Sequence, residues 1–512
     1  MKSPVLFTRR AFLSSGAVLF SSPLLSAAPK NEPPPEGSVT PAQWLRTQPK
    51  PKFRAGHTLP PLTRYGWDMD DAVRIALAEE WGYALEFGVA GPRQVENALT
   101  KPESREAKLL ALAIADPKRY PLCVFSSREL PKQNVAAEVW TRDAEGKFLN
   151  GKAQSLDGTE WYPKMKTVYS PMAPDAFWQQ AGELSAAAIR RLREKCPIAF
   201  VLNGGEYGLG VPGFGRKVWE LDPTIVKARG DQPWPEFIST RKAHAQSLMT
   251  EAERAAAPDR LLYIYYTCGG GTHRNAMPDW GDWEYQWEAF RANSDLPSNE
   301  AYYRHFNSGW TGDKDMLTLC LNATTREIAA GQPLSYNWLS AGWEGEPGHS
   351  HGDLTRWAGF LKCYYTAGMI GGNEGYYQFL GRDGFSKPFL GEAPHWLQQL
   401  TTLANVHALF THAEDFLRQG DLLPGPEKHR ISKDLPACEF PTGDPATRVL
   451  IRRLRDHPEW LATAWAADGE ARGVSVDIPE LGKLELLAKP EGEVYRVKLD
   501  GGKAVAKPIV AA

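Results

Sequence analysis

From residue 62 onward the chain alternates short apolar or aromatic runs of strand length with longer segments whose apolar positions recur every three to four residues. That is the pattern of parallel strands joined by crossover helices. Leu62–Trp67 predicts a first strand, Asp70-Asp71 opens a helix through Trp81, and Tyr83–Gly88 predicts a second strand. A helix ending near Arg119 leads to a third strand, Tyr120–Ser127, and a long insertion over 128–172 precedes a helix at Pro174–Cys196. The fourth strand is Pro197–Asn203; helix 234–258, a fifth strand at Leu261–Thr267 and a helix in the Trp-rich stretch 279–293 follow. Leu296–Tyr303 predicts a sixth strand weakened by Pro297, which cannot donate to a sheet ladder. Helix 313–330, strand Pro333–Trp338, helix 353–367, strand Met369–Tyr377 and helix 394–418 complete the series.

Eight strand–helix units over residues 61–420 predict an α/β fold, a (β/α)8 TIM barrel with inserted loops. After residue 421, Pro and Gly punctuate short runs at Thr447–Arg453, Trp460–Ala466, Gly473–Ile478, Leu484–Ala488 and Val494–Leu499. These predict a small antiparallel, sandwich-like β domain over 421–512. At the other end, Thr8-Arg9-Arg10-Ala11-Phe12-Leu13 precedes an apolar run from Leu13 to Leu25, and Leu25-Ser26-Ala27 offers a small-residue cleavage site. Residues 1–27 therefore resemble a twin-arginine export signal, which places the mature protein in the periplasm or outside the cell. The apolar run is shorter than the roughly 18–20 residues that span a bilayer, so a membrane partner after signal removal is not expected. Residues 28–60, with Pro33-Pro34-Pro35, are expected to form a linker.

The 512 residues carry 59 Lys+Arg against 61 Asp+Glu, a net charge of -2, which argues against a strongly basic nucleic-acid binder. Six cysteines, spread thinly from Cys123 to Cys438 without a CxxC pair, exclude a disulfide-stapled scaffold and a zinc ribbon. The unusual feature is the aromatic content, with 18 Trp in a chain that is 11% Phe, Trp and Tyr. Flat apolar rings are what sugar rings stack on, so the excess points to a carbohydrate ligand.

A barrel of this kind carries its site at the carboxyl ends of the strands. Those ends are rich in carboxylates, amides and aromatics: Trp67 and Asp68 after strand one, Glu86 on strand two, and Asn203-Gly204-Gly205-Glu206-Tyr207 after strand four. Tyr266 ends strand five and His273 follows it; Asn299, Glu300 and Tyr302 lie on strand six, Asn337-Trp338 on strand seven, and Asn373-Glu374 with Tyr376 on strand eight. Trp343, His349 and His351 fall in the loop after strand seven. Together these are the candidate substrate-binding residues. This layout resembles the (β/α)8 glycoside hydrolases, many of which carry an Asn near a general acid/base Glu after strand four and a small β-sandwich behind the barrel. In the retaining relatives Asn and Glu are adjacent and the nucleophile follows strand seven. Here two glycines separate Asn203 from Glu206, and strand seven ends in Asn337-Trp338.

Glycoside hydrolysis needs one carboxylic acid to protonate the leaving oxygen and a second carboxylate to attack or to activate water. Glu206, flanked by an apolar strand, Asn203 and Tyr207, is the expected acid/base. Glu374 or Glu300 is the expected partner, with Glu374 preferred for its position among glycines. A non-catalytic carbohydrate-binding barrel is the alternative. Gly348-His349-Ser350-His351-Gly352 matches a nucleophile elbow, so an esterase acting through Ser350 is a third reading, but the segment before it is no apolar strand. His349, His351 and Asp353 lack the spacing of a defined metal site. Gly269-Gly270-Gly271-Thr272 lacks the ending of a P-loop, and neither metal nor nucleotide cofactor is expected. The basic runs Arg190–Lys195 and Arg452–Arg455 are expected to be solvated faces.

Overall fold

Several helices of this chain start where a polar side chain takes up an orphan backbone N–H, while others follow Pro174, Pro233 and Pro394. Asp70 accepts from the Ala72 N–H at 3.2 Å and starts the helix Asp71–Trp81; Asp353 accepts from Thr355 at 2.8 Å and starts Leu354–Thr366. The first ends at Gly82 in the left-handed conformation, φ 72°, where the Phe53 ring lies 3.0 Å from any added Cβ. A computed structural model describes residues 34–64, 70–89, 92–126, 136–149, 169–204, 219–259, 262–266, 293, 295–298, 300–302, 334–341, 353–373, 385–428 and 435–511. Residues 34–38 form a turn in which the Ser38 N–H donates to the Pro35 carbonyl, and the described chain from Val39 onward forms one compact unit.

Strands β1 (Leu85–Val89), β2 (Leu122–Ser126), β3 (Phe200–Gly204), β4 (Leu262–Tyr266) and β5 (Leu296–Ser298) pair in sequence order, all parallel. Strands β6 (Glu300–Tyr302), β7 (Ser335–Ser340) and β8 (Met369–Asn373) form a second parallel set. The expected sixth strand is thus two short strands, one on each sheet, in keeping with the missing N–H of Pro297. One face of the first sheet, with Leu85, Phe87, Leu122, Val124 and Val201, packs on the helices Arg105–Ala115 and Asp175–Arg193 through Leu109, Leu110, Ile189 and Leu192. The other face carries Cys123, Phe125, Phe200 and Leu202 into a core shared with Tyr336 of β7.

Tyr336 is the residue that ties the two sheets together. Its ring lies 5.7 Å from that of Phe200 on β3, and its hydroxyl accepts the Thr63 N–H at 2.9 Å while donating to the Pro61 carbonyl at 3.1 Å. The segment around Thr63 bridges in parallel to Tyr83 through Leu62, just ahead of β1. On its other side it touches β8 so closely that a Cβ on Gly372 would fall 2.6 Å from the Thr63 carbonyl. A Cβ on Gly371 would meet the Asn337 carbonyl at 2.2 Å. The two glycines therefore admit the neighbouring backbone on both sides of β8.

The C-terminal residues add β9 (Gly420–Leu422), β10 (Thr447–Leu454), β11 (Glu459–Ala466), β12 (Arg472–Ile478), β13 (Gly482–Ala488), β14 (Glu493–Asp500) and β15 (Lys503–Pro508). They pair antiparallel as β15-β14-β11-β10-β9, with β12–β13 as a separate hairpin. Apolar side chains of the hairpin, among them Val476, Leu484 and Leu486, share a core with Val449, Trp460 and Val497 of the larger sheet. The opposite face meets the helix Leu354–Thr366, where Trp465 lies over Gly359 and donates to the Pro490 carbonyl at 2.9 Å.

Several expectations are corrected. Within the stretch expected to be a linker, Pro41–Thr47 is helical, started by a reciprocal capping box between Thr40 and Gln43 and by Pro41 in the first turn. Helix 394–418 is two helices, His395–Thr411 and Glu414–Gln419. Arg452 is no solvated residue: it is 1% exposed and donates to the carbonyls of Phe416 at 3.1 Å, Thr366 at 3.1 Å and Gly420 at 2.8 Å. Burial lowers its pKa to about 10. The four described cysteines, Cys123, Cys196, Cys363 and Cys438, are buried free thiols.

Candidate active site

All strands of the two parallel sets run in one direction, and β5 is followed by β6 after a single residue, so their carboxyl ends face one edge. The register defines what reaches that edge. Gly204 pairs with Tyr266 and Tyr266 with Ser298, which puts the ends of β3, β4 and β5 on one row. Glu206 and Glu300 each come two residues after that row in the chain. On the second sheet Ala301, Leu339 and Asn373 form a row, and Glu374 is the next residue after Asn373. Glu300 pairs with Trp338, and Trp338 in turn with Gly372.

Of the candidate residues, Glu206, Glu374, Trp67, Asp68, Tyr207, His273, Asn299, Trp343, His349, Ser350, His351 and Tyr376 lie outside the described residues. Asn203, Tyr266, Glu300, Tyr302, Trp338 and Asn373 are placed as strand backbone. Asn203 aligns with Ser126 on one side and Tyr265 on the other.

Glu86 and Asn337 are described in full, and neither stands at the edge. Asn337 is 1% exposed; its Nδ2 donates to Ser335 Oγ at 2.9 Å and to the Ile370 carbonyl at 3.1 Å. It shares the face of Ser335 and Leu339 and points away from Tyr336. Where a pocket-lining amide was expected, the structure has one that ties β7 to β8. Glu86 is the second residue of β1, 6% exposed, with Oε2 3.1 Å from Arg74 Nη1. Burial pushes its carboxyl pKa up, opposed by Arg74 beside it and by the charges of Arg64 and Arg105. Its register partner Cys123 is raised well above the usual thiol value, by burial first and by the Glu86 charge second.

Two further cations, Arg64 and Arg105, act on this carboxylate. Asp71 binds Arg105 Nε at 2.7 Å and lies 3.9 Å from Arg74, so the Glu86–Arg74 pair continues to the surface as alternating charge. Arg64 is buried, with its guanidinium 4.5 Å from the Phe385 ring centroid and 5.9 Å from that of Trp396. The sequence signal for these residues was present but unread: Arg64 ends the short apolar run Leu62-Thr63, and Arg74 falls on the apolar side of the helix Asp71–Trp81. Beneath β8, Tyr365 lies 3.4 Å from the Gly371 N–H and 2.8 Å from His407 Nδ1, which braces the strand two residues before Asn373.

Among the described residues no group of three His, Cys, Asp or Glu is placed to hold a metal ion. Asp353, weighed as a ligand beside His349 and His351, serves as a helix cap.

No protein-family model matches the chain, and no curated protein matches it. Solved structures similar to it include an exo-carrageenase of Bacteroides ovatus, 10% identical over 90% of this chain and 86% of that one, with a TM-score of 0.44. The endo-β-1,4-mannanase of Thermotoga petrophila is 11% identical over 91% of this chain and 98% of that one, at 0.38. A GH36 α-galactosidase of Geobacillus stearothermophilus is 11% identical at 0.42, over 91% of this chain and 58% of that one. The three similar structures are of different glycoside-cleaving enzymes, and no family model links the chain to any one of them.

Proposed function

We propose that this chain is a glycoside hydrolase on a closed (β/α)8 barrel, with the C-terminal antiparallel strands as an accessory domain. It cleaves a poly- or oligosaccharide with two carboxylates. One observation supports the reading: both parallel sets contribute to the core around Tyr336, with Gly204 and Asn373 each at the carboxyl-terminal edge of its own sheet and Glu300 two residues after Ser298 of β5. Glu206 and Glu374 follow those edges within two residues. In a barrel, the carboxyl-terminal edge is where reacting groups from different strands converge.

Glu206 is assigned as the acid that protonates the leaving oxygen, and Glu374 as the carboxylate that attacks the sugar or activates water; Glu300 is the alternative partner. A separation near about 5 Å gives retention and about 6.5–9.5 Å gives inversion. Trp67, Tyr207, Trp338, Trp343 and Tyr376 supply stacking surfaces for the sugar rings. Arg9-Arg10 and the apolar run behind them support export before the enzyme meets its polysaccharide.

The test is reducing-end release from a panel of plant and algal polysaccharides, run beside Glu206→Gln. Loss of a general acid/base costs about 10²–10⁴-fold in turnover. Release by the wild type that the variant cannot match supports the reading. A fully active variant removes the assignment, and no release from any substrate leaves the carbohydrate-binding barrel as the better description.

A further inference from the structure

A groove of about 930 Å³ lies on the helical side of the molecule, between Leu354–Thr366 and His395–Thr411, with Trp44 and the residues after Pro41–Thr47 on one flank. None of its lining residues belongs to a strand, and the proposed mechanism uses none of them. Its floor is apolar, with Ala358, Val406 and Leu409; its rim carries the indole of Trp44 and a set of amides and hydroxyls.

The hydrogen-bond states of those polar groups select the ligand. The Gln398 amide nitrogen donates to Glu392 at 3.1 Å and to the Ala393 carbonyl at 2.6 Å. The Gln48 amide nitrogen donates to Thr47 Oγ1 at 3.1 Å and to the Trp44 carbonyl at 3.5 Å. Thr401 and Thr402 both donate to the Gln398 carbonyl, at 2.8 and 2.9 Å. Their hydrogens are thus used within the protein, and what these groups turn toward a ligand is oxygen lone pairs. Of the three lysines lining the groove, Lys50 lies 2.5 Å from Glu80 and Lys362 donates to the Gly492 carbonyl at 2.9 Å, and the third, Lys52, shares the lining with the carboxylates of Glu392 and Glu491. A groove rich in acceptors suits a ligand rich in O–H donors. An aromatic wall beside such acceptors fits the apolar face and hydroxyl edge of a sugar ring.

We propose that this groove is a second carbohydrate site, binding an uncharged oligosaccharide segment with Trp44 as the stacking platform and Gln398, Thr401, Thr402 and Asn405 as hydroxyl partners. It would hold a polysaccharide chain on the helical face, separately from the strand edge where hydrolysis is assigned.

The full chain is run by affinity electrophoresis in gels containing galactomannan, laminarin, xylan or κ-carrageenan, beside Trp44→Ala and Asn405→Lys. Asn405 is exposed, so its variant changes the groove without disturbing the core. Both variants are expected to lose retardation at least about tenfold in a neutral gel that retards the wild type, with turnover of a short soluble oligosaccharide unchanged. Wild-type retardation in no neutral gel, or retardation that both variants keep, overturns the proposal. Retardation confined to κ-carrageenan and removed by salt overturns it in favour of an anionic ligand. Variant-sensitive retardation without any hydrolysis keeps the groove and dismisses the glycosidase; hydrolysis with variant-insensitive retardation does the reverse.

Discussion

The hydroxyl of Tyr336 on β7 accepts the backbone N–H of Thr63 at 2.9 Å, across the space between the two parallel sheets. The same oxygen donates to the Pro61 carbonyl, and burial first, then the nearby Cys123 and Tyr365, raises its pKa well above the usual tyrosine value. Tyr336→Phe keeps the ring against Phe200 but leaves a buried N–H without its acceptor. An unmade buried bond of this kind costs about 1–3 kcal/mol. The midpoint of urea unfolding is expected to fall accordingly, and an unchanged midpoint would mean that the segment around Thr63 is held by its bridge to Tyr83 alone.

Trp465 and Gly359 make a comparable pair at the other sheet. A Cβ on Gly359 would lie 2.0 Å from the indole Cδ1 and 2.8 Å from the Pro490 carbonyl. Gly359→Ala gains about 1 kcal/mol of helix propensity, but overpacking a filled contact costs about 1–3 kcal/mol. The clash is with a ring and a backbone carbonyl, so the cost wins, and a lower thermal midpoint is expected. Trp465→Leu in the Gly359→Ala background should recover part of the loss relative to the two single variants, since residues in contact do not add. Simple additivity would show that the indole does not set the helix against the sheet.

These pairs show which parts of the fold the sequence made legible. The helix Asp71–Trp81 was readable because Asp70, the apolar spacing and Gly82 all agree on its ends. Helix Pro41–Thr47 was not, since seven residues are too few to display a period and only the Thr40–Gln43 cap announces it. Strand β15 alternates, but its partner-facing residues are Ala504 and Ala506, which carry little apolar signal. At the site, Asn337 was misjudged because a strand-end amide looks the same in sequence whether it faces a pocket or a neighbouring strand. Gly372 counted in the sequence only as one of the glycines around Glu374, whereas the adjacent backbone of Thr63 fills the space beside it, as that of Asn337 does beside Gly371. Face and neighbour are tertiary facts, and periodicity gives only the first of them.

The buried pair Glu86–Arg74 gives a prediction that separates single from double replacement. Removing Glu86 takes from the buried Arg74 its nearer carboxylate and leaves Asp71 at 3.9 Å, and breaking a buried pair in this way costs up to about 3–5 kcal/mol. Glu86→Leu should therefore strongly lower the urea midpoint, and Glu86→Leu with Arg74→Met should restore most of it. If the double variant is as unstable as the single, the pair is doing more than balancing charge, and a link from Glu86 to the site edge becomes the better account.

His407 supplies a pH prediction. Buried against Tyr365, it is held neutral, and burial first, with the His57 charge second, lowers its pKa from 6.5 to about 3. The unfolded chain binds a proton near 6.5 and the folded chain does not. Stability present above 6.5 is therefore lost as pH falls toward 3, at up to about 1.4 kcal/mol per pH unit for one group. His57, also lowered mainly by burial, adds in the same direction, and Glu414, lowered by its bonds to Thr58 and Arg54 in spite of burial, begins to contribute only below about 4.5. His407→Asn keeps an acceptor for the Tyr365 hydroxyl. Between pH 6.5 and 4.5 its urea midpoint should change less than that of the wild type; an identical slope would assign the acid sensitivity to His57 alone.

The choice between Glu374 and Glu300 can be made chemically. If the second carboxylate is a nucleophile, its truncation opens a hole beside the anomeric carbon that a small anion can fill. Glu374→Ala, given an activated aryl glycoside and azide, is expected to regain turnover and release a glycosyl azide, while Glu300→Ala is not. The backbone favours this assignment, because Asn373 lies on the row of Ala301 and Leu339, one residue beyond the row of Glu300, Trp338 and Gly372. Glu374 therefore follows in the chain from a row one residue further along the strand direction than that of Glu300. Rescue of Glu300→Ala in place of Glu374→Ala would move the chemistry onto β6. Rescue of neither, with both variants inactive, would mean that the second carboxylate activates water, and the product's anomeric configuration, inverted from the substrate's, would then confirm it.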